Sequence, residues 1–137
     1  MGVTGISVMV IEDEEILLQA IAKKLVKSGF ETITCTGATQ ALDYLKELDK
    51  NIPDIIWLDY YLEDMNGLEF MDKLNENPEW KKIPVVVVSN SASPQKVDAM
   101  IKRGASKYLL KADYKLKDIV EILKEYVTQG RIGEVLG

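Results

Sequence analysis

The chain has 137 residues, 47% hydrophobic and 28% charged, a length and balance that suit one globular domain with its own core and exclude a disordered or low-complexity class. No apolar run approaches the roughly 18 residues of a membrane helix, no basic region precedes a long apolar stretch at the N-terminus, a single cysteine cannot close an internal disulfide, and the absence of histidine excludes histidine acid–base catalysis and histidine metal ligation. The net charge of −5 is uneven: residues 1–95 hold 8 Lys/Arg and 16 Asp/Glu, and residues 96–137 hold 9 and 6. The basic part suits an acidic protein partner, and is too diluted with acids for nucleic acid.

Strand and helix patterns alternate along the chain. Ile6 to Ile11 is rich in β-branched residues and reads as a buried strand that ends in Glu12-Asp13. Leu17, Ile21 and Leu25, with Ala20 beside them, predict one apolar helix face ending at Gly29. Thr32 to Cys35 alternates polar and apolar, as an edge strand does, and makes Cys35 a small hydrophobe. Ala38, Ala41, Leu42, Leu45 and Leu48 form a second helical stripe. Ile55 to Leu58 is a fully apolar strand, with Trp57 placed in the core, and it ends in Asp59.

Leu68, Met71 and Leu74 mark a short helix after Gly67. Trp80 closes the polar loop from Asn75 to Pro84, and Val85 to Val88 is the strongest strand signal, followed by Ser89. Ser93-Pro94 is an N-cap with proline at the first helical position, opening a helix through Val97, Met100 and Ile101 that stops at Gly104. Lys107 to Leu110 is a last strand, ending in Lys111. Leu116, Ile119, Val120, Leu123 and Val127 give a final amphipathic helix. No repeat and no linker is evident. The predicted division is one domain over residues 1–128 and a short tail over 129–137.

Strands alternating with single helices imply parallel βαβ units, hence an α/β, doubly wound sheet of about five strands. Buried strands that end in charged residues place those charges on one rim, where such folds keep their sites. Glu12, Asp13 and Asp59 then form an oxygen-rich pocket suited to magnesium, with Lys111 beside it. A helix start rich in acids explains Glu14 and Glu15. It does not explain Asp59 and Lys111 at matching rim positions.

These residues resemble the receiver domain of two-component response regulators over about residues 5 to 127. The resemblance rests on Glu12-Asp13 after the first strand, Leu58-Asp59-x-x-Leu62-x-x-Met65-x-Gly67 after the third, Ser89 after the fourth, and Gly104-Ala105-Ser106-x-Tyr108-Leu109-x-Lys111 around the fifth. It implies a (βα)5 flavodoxin-like fold with strand order 2-1-3-4-5. It implies Asp59 as phosphoacceptor and Mg2+ held by Asp13, Asp59 and the backbone carbonyl of Tyr61, with Glu12 acting through water. Lys111 and Ser89 would contact the phosphoryl group, and Tyr108 would be the aromatic switch that follows Ser89, although a strand tyrosine is more often a half-exposed plug.

The implied protein is a cytoplasmic, phosphorylation-activated switch that catalyses its own aspartyl phosphorylation and slow dephosphorylation and turns over no external substrate. Its donor would be a histidine kinase or histidine phosphotransfer protein. Its downstream protein partner would dock on the 94–128 face, with no nucleic acid and no membrane involved. Since no output domain follows, the expected output is protein binding or onward phosphotransfer.

Two positions depart from the family pattern. Ala112 stands where proline is usual, so the following loop differs. Asn90 stands where a very small residue is common. With Tyr61 and Ser91 flanking the path of water to Asp59, its bulk narrows access and predicts slow autodephosphorylation. The main alternative is a phosphorylation-independent interaction module with a vestigial acid pocket. A haloacid-dehalogenase phosphatase needs a second acid where Tyr61 stands, and the Glu-Asp-Glu-Glu run would repel the phosphate of a flavin.

Overall fold

The computed structural model describes residues 3–136, with side chains through Gln129. Five strands, β1 (Ser7–Ile11), β2 (Glu31–Cys35), β3 (Ile55–Asp59), β4 (Val85–Ser89) and β5 (Lys107–Leu110), form one parallel sheet in the order β2-β1-β3-β4-β5. Five helices connect and follow them: α1 (Glu15–Lys27), α2 (Ala38–Leu48), α3 (Gly67–Asn75), α4 (Pro94–Lys102) and α5 (Leu116–Leu136). This is the flavodoxin-like (βα)5 architecture and strand order expected from the sequence.

The β3 and β4 strands are buried along their whole length because helices cover both faces of the sheet. On one face, Val8, Val10, Ile55, Trp57, Val86 and Val88 pack under α1 and α5. On the other, Met9, Ile11, Ile56, Leu58, Val85 and Val87 pack under α2, α3 and α4. Alternate residues of each central strand therefore feed two separate cores, which requires the near-continuous apolar runs read from the sequence. Trp57 is fully buried, as expected, and Trp80 is half-buried against the second core.

The face of α1 differs from expectation. Leu18, Ile21, Ala22 and Leu25 are buried, whereas Ala20 is exposed. The buried stripe is rotated because Leu18 supplies more apolar area than Ala20. The helix ends fall where predicted. Gly29 (φ +102°) and Gly104 (φ +98°) take the left-handed conformation after α1 and α4, and Phe30 N–H and Ala105 N–H return to the carbonyls of Leu25 and Met100. Ser93 Oγ accepts from Lys96 N–H at the start of α4, with Pro94 at the first helical position. The α5 helix continues to Leu136, past residue 128. Among the described residues no helix is long and apolar enough to cross a membrane.

Candidate functional site

Parallel register brings five charged or hydroxyl residues to one edge of the sheet. Ile11 pairs with Leu58 and Asp59 with Val88, so Glu12-Asp13 after β1, Asp59 at the end of β3 and Ser89 at the end of β4 lie side by side. Ser89 pairs with Leu110, which leads directly into Lys111. The residues expected at the rim are thus together. Glu12 and Asp59, at 1% and 6% exposure, and Ser89 are buried at this rim.

One carboxylate oxygen from each of Glu12, Asp13 and Asp59 falls within 4.8 Å of the others. Lys111 Nζ is 3.0 Å from Glu12 Oε1 and 3.6 Å from Asp59 Oδ2. Its nearer partner is therefore Glu12 rather than Asp59. Glu12 Oε2 accepts from Glu14 N–H at 3.0 Å, so both Glu12 oxygens are committed within the protein, and Asp59 Oδ1 has only a 3.4 Å contact from Tyr61 N–H. The less-committed oxygens are those of Asp13 and Asp59.

Like charges in so small a volume have a cost. Burial, then the charge of Glu12, pushes the Asp59 carboxyl from 3.8 up to about 7, against the opposing pull of Lys111. Burial and the neighbouring Glu12 also raise Asp13. Hard, anionic oxygen donors in surplus over cations are the donor set that a small divalent metal prefers, so the residues fit such an ion.

Ser89, Tyr108 and Tyr61 are arranged around Ser91. Tyr108, half-buried on the α4 side of the sheet, donates to the Ser91 carbonyl at 2.6 Å, and burial raises its phenol above the ordinary value. Ser91 N–H donates to Ser89 Oγ at 3.3 Å. Tyr61, 46% exposed, reaches over to Ser91 with its hydroxyl 3.2 Å from Ser91 Oγ. Asn90 is exposed beside them. Ala112 lies in a short 3-10 turn, Lys111–Asp113, with trans peptides throughout the described residues.

Two contributors were not legible in the sequence. Lys96, in the first turn of α4, donates to both Tyr61 and Ser91 across 35 and 5 positions. Asp64, in the loop after β3, accepts from the N–H groups of Ala38 and Thr39 and so caps α2 from another part of the chain. No local pattern marks either residue, because the partner in each case is brought by the fold.

Comparison with known proteins places these features in context. The family model described as "Response regulator receiver domain" matches residues 8–124. The chain is 30% identical over 121 residues to the polar-differentiation response regulator DivK of Brucella ovis, covering 88% of this chain and 95% of that protein. Among solved structures, the phosphorylated cyanobacterial phytochrome response regulator RcpA is similar at 25% identity and TM-score 0.73, covering 88% of this chain and 89% of that one. The Mn(2+)-bound form of response regulator Rcp1 is similar at 26% identity and TM-score 0.72, covering 87% and 89%.

Proposed function

Because the chain belongs to the family of response regulator receiver domains, we propose a specific assignment of its acidic pocket, in which Asp59 is the phosphoacceptor. The protein is a phosphorylation-activated signalling switch of two-component systems, and receiver domains bind a divalent metal at such a pocket. The observation that carries the assignment is the convergence of Glu12, Asp13, Asp59 and Lys111 at the rim.

Asp59 has the role of nucleophile. Its carboxylate oxygen forms a bond to the phosphorus of a phosphohistidine on a histidine kinase or phosphotransfer protein, the P–N bond breaks, and the imidazole leaves and takes up a proton. In-line positioning and charge neutralisation account for most of such a step. Asp13, Asp59 and the backbone carbonyl of Tyr61, with Glu12 through water, are the groups to hold Mg2+, which when bound supplies charge neutralisation on the phosphoryl oxygens. Lys111 pairs with Glu12 and Asp59 before transfer and gives a charge-assisted hydrogen bond to a phosphoryl oxygen after it. Ser89 gives a second hydrogen bond, and Tyr108 follows Ser89 through Ser91.

Phosphorylation adds about −1.5 to −2 charges at the rim, and the downstream protein partner reads the changed surface over residues 94–128, whose excess of Lys/Arg suits an acidic protein. The proposed location is the cytoplasm. The proposed receiver unit is residues 1–128. Tyr126 and Val127 still pack on the core there, and residues 129–137 are the proposed tail.

The test is incubation with acetyl phosphate and magnesium followed by intact mass. One phosphoryl group adds to the parent, and none to Asp59→Asn. Equal labelling of the two would remove Asp59 as the acceptor.

A further inference from the structure

Ser91 is the meeting point of four elements of the site. Its N–H donates to Ser89 Oγ, its carbonyl accepts from Tyr108, and its hydroxyl meets the Tyr61 hydroxyl at 3.2 Å and accepts from Lys96 Nζ at 3.1 Å. Lys96 also donates to the Tyr61 hydroxyl, and its ammonium lies 5.6 Å from the centroid of the Tyr60 ring. The Tyr60 and Tyr61 rings meet edge-on at 4.8 Å. Tyr61 is among the more exposed large apolar side chains, so packing alone does not fix its rotamer. The Ser91 hydroxyl and the Lys96 ammonium hold its phenol across from the acceptor loop to the loop after β4. An ammonium offers three donors, enough to serve both hydroxyls at once.

We propose that Lys96 is a positioning residue that latches Tyr61 and Ser91 together across the mouth of the Asp59 site, so that release of α4 and opening of the site to water are one event. The proposal rests on the assignment of Asp59 as phosphoacceptor. Hydrolysis of the acyl phosphate requires a water oxygen to bond to phosphorus while the P–O bond to Asp59 breaks. Inorganic phosphate leaves, the carboxylate is restored, and the water's surplus proton goes to solvent. A near-attack geometry for that water requires an open path. With Lys96 in place, the Tyr61 ring and Ser91 close the path between the two loops.

Lys96 is carried by α4, so any partner that grips the first turn of this helix takes the ammonium away from Tyr61 or pins it there. Binding at α4 and the lifetime of the phosphorylated state then become linked. The partner's preference for the latched or unlatched arrangement has an equal and opposite counterpart in the site's preference for the partner.

The test uses the full chain with magnesium, phosphorylated with acetyl phosphate, and follows decay of the adduct after removal of the donor. Lys96→Met keeps the apolar stem and removes the donors, and should speed decay by about fivefold, the scale of one charge-assisted hydrogen bond to a half-exposed group. Lys96→Arg, which still donates to both hydroxyls, should stay near the parent. Tyr61→Phe keeps the ring and loses the latch, and should speed decay like Lys96→Met, while the double variant should be no faster than either. Rescue by arginine and this non-additivity distinguish a latch from a general loss of stability, which melting temperatures of the same variants monitor. Decay of Lys96→Met equal to the parent, or multiplicative effects in the double variant, would overturn the latch. Absence of labelling in every protein, the parent included, would instead overturn the assignment of Asp59.

Discussion

Trp57 lies two residues before Asp59 on β3, fully buried under α1 and α5, while Trp80 lies on the other side of the sheet, in the short turn before β4. Residues on the same strand two positions apart share a face, so Trp57 reports on the strand that ends in Asp59. Binding of magnesium should change the intrinsic fluorescence of the parent against a constant Trp80 background. Asp13→Ala removes one of the two less-committed carboxylates, and the response should vanish with it. A response that persists in Asp13→Ala would place the metal elsewhere. Lys111 illustrates what a side chain's position in the chain conceals: the nearer of its two carboxylates is Glu12, 99 positions away, a preference that depends on side-chain reach across two strands.

At the level of single elements, the start of α2 depends on a residue outside it. Gly37 is the N-cap residue and has no side chain to accept a hydrogen bond. A Cβ there would come 3.1 Å from Asp64 Oδ2, so the glycine makes room for the carboxylate that does the capping. Asp64 accepts from Thr39 N–H at 2.7 Å and from Ala38 N–H at 3.1 Å. Partial burial would raise its carboxyl, but these bonds outweigh that and hold it below the usual value of 3.8. Asp64→Ala should destabilise the protein by about 1 kcal/mol, the typical worth of a cap, seen as a lower denaturation midpoint with an unchanged slope. The sign of the pH dependence follows from the depressed carboxyl. Its contribution is present above 3.8 and lost as pH falls through the lower folded value. The difference between parent and Asp64→Ala should therefore shrink in strong acid. A constant difference down to the lowest pH would mean that the charge of Asp64 has no part in the cap.

Global stability is where the acidic pocket acts on the whole molecule. Raising Asp59 from 3.8 to about 7 means that the folded protein keeps a proton that the unfolded chain has released over that window. Stability of the metal-free protein should consequently fall as pH rises through it, the cost of the crowded charges being complete only above about 7. In chelator, Asp59→Asn should melt higher than the parent at pH 7.5 and lose most of that advantage at pH 5. Magnesium should raise the melting temperature of the parent at pH 7.5 by mass action. An Asp59→Asn protein that melts at or below the parent in chelator at pH 7.5 would mean that the carboxylates do not repel in the way their geometry implies. The same crowding also bears on function: a fold that accepts a destabilised rim at two strand ends, with three carboxylates gathered there, has the donor set of a metal-dependent site.

The sequence by itself determined the parallel α/β class, the helix ends at Gly29 and Gly104, the cap at Ser93 and the gathering of Glu12, Asp13, Asp59, Ser89 and Lys111 on one rim, while the strand order came from the family resemblance. Each of the former follows from a pattern local to a few residues, combined with the rule that parallel βαβ units place all strand ends on one side. The motifs in register with that pattern made the family legible as well. Tertiary structure alone decided which carboxylate Lys111 approaches more closely, which residues of α1 turn inward, that Asp64 caps a helix 25 positions before it, and that Lys96 joins Tyr61 to Ser91 across 35 positions. Those facts depend on side chains from separate elements meeting at distances of a few ångströms. Periodicity sets the face on which a residue lies, whereas hydrogen-bond partners are set by packing between elements, which a one-dimensional pattern does not contain.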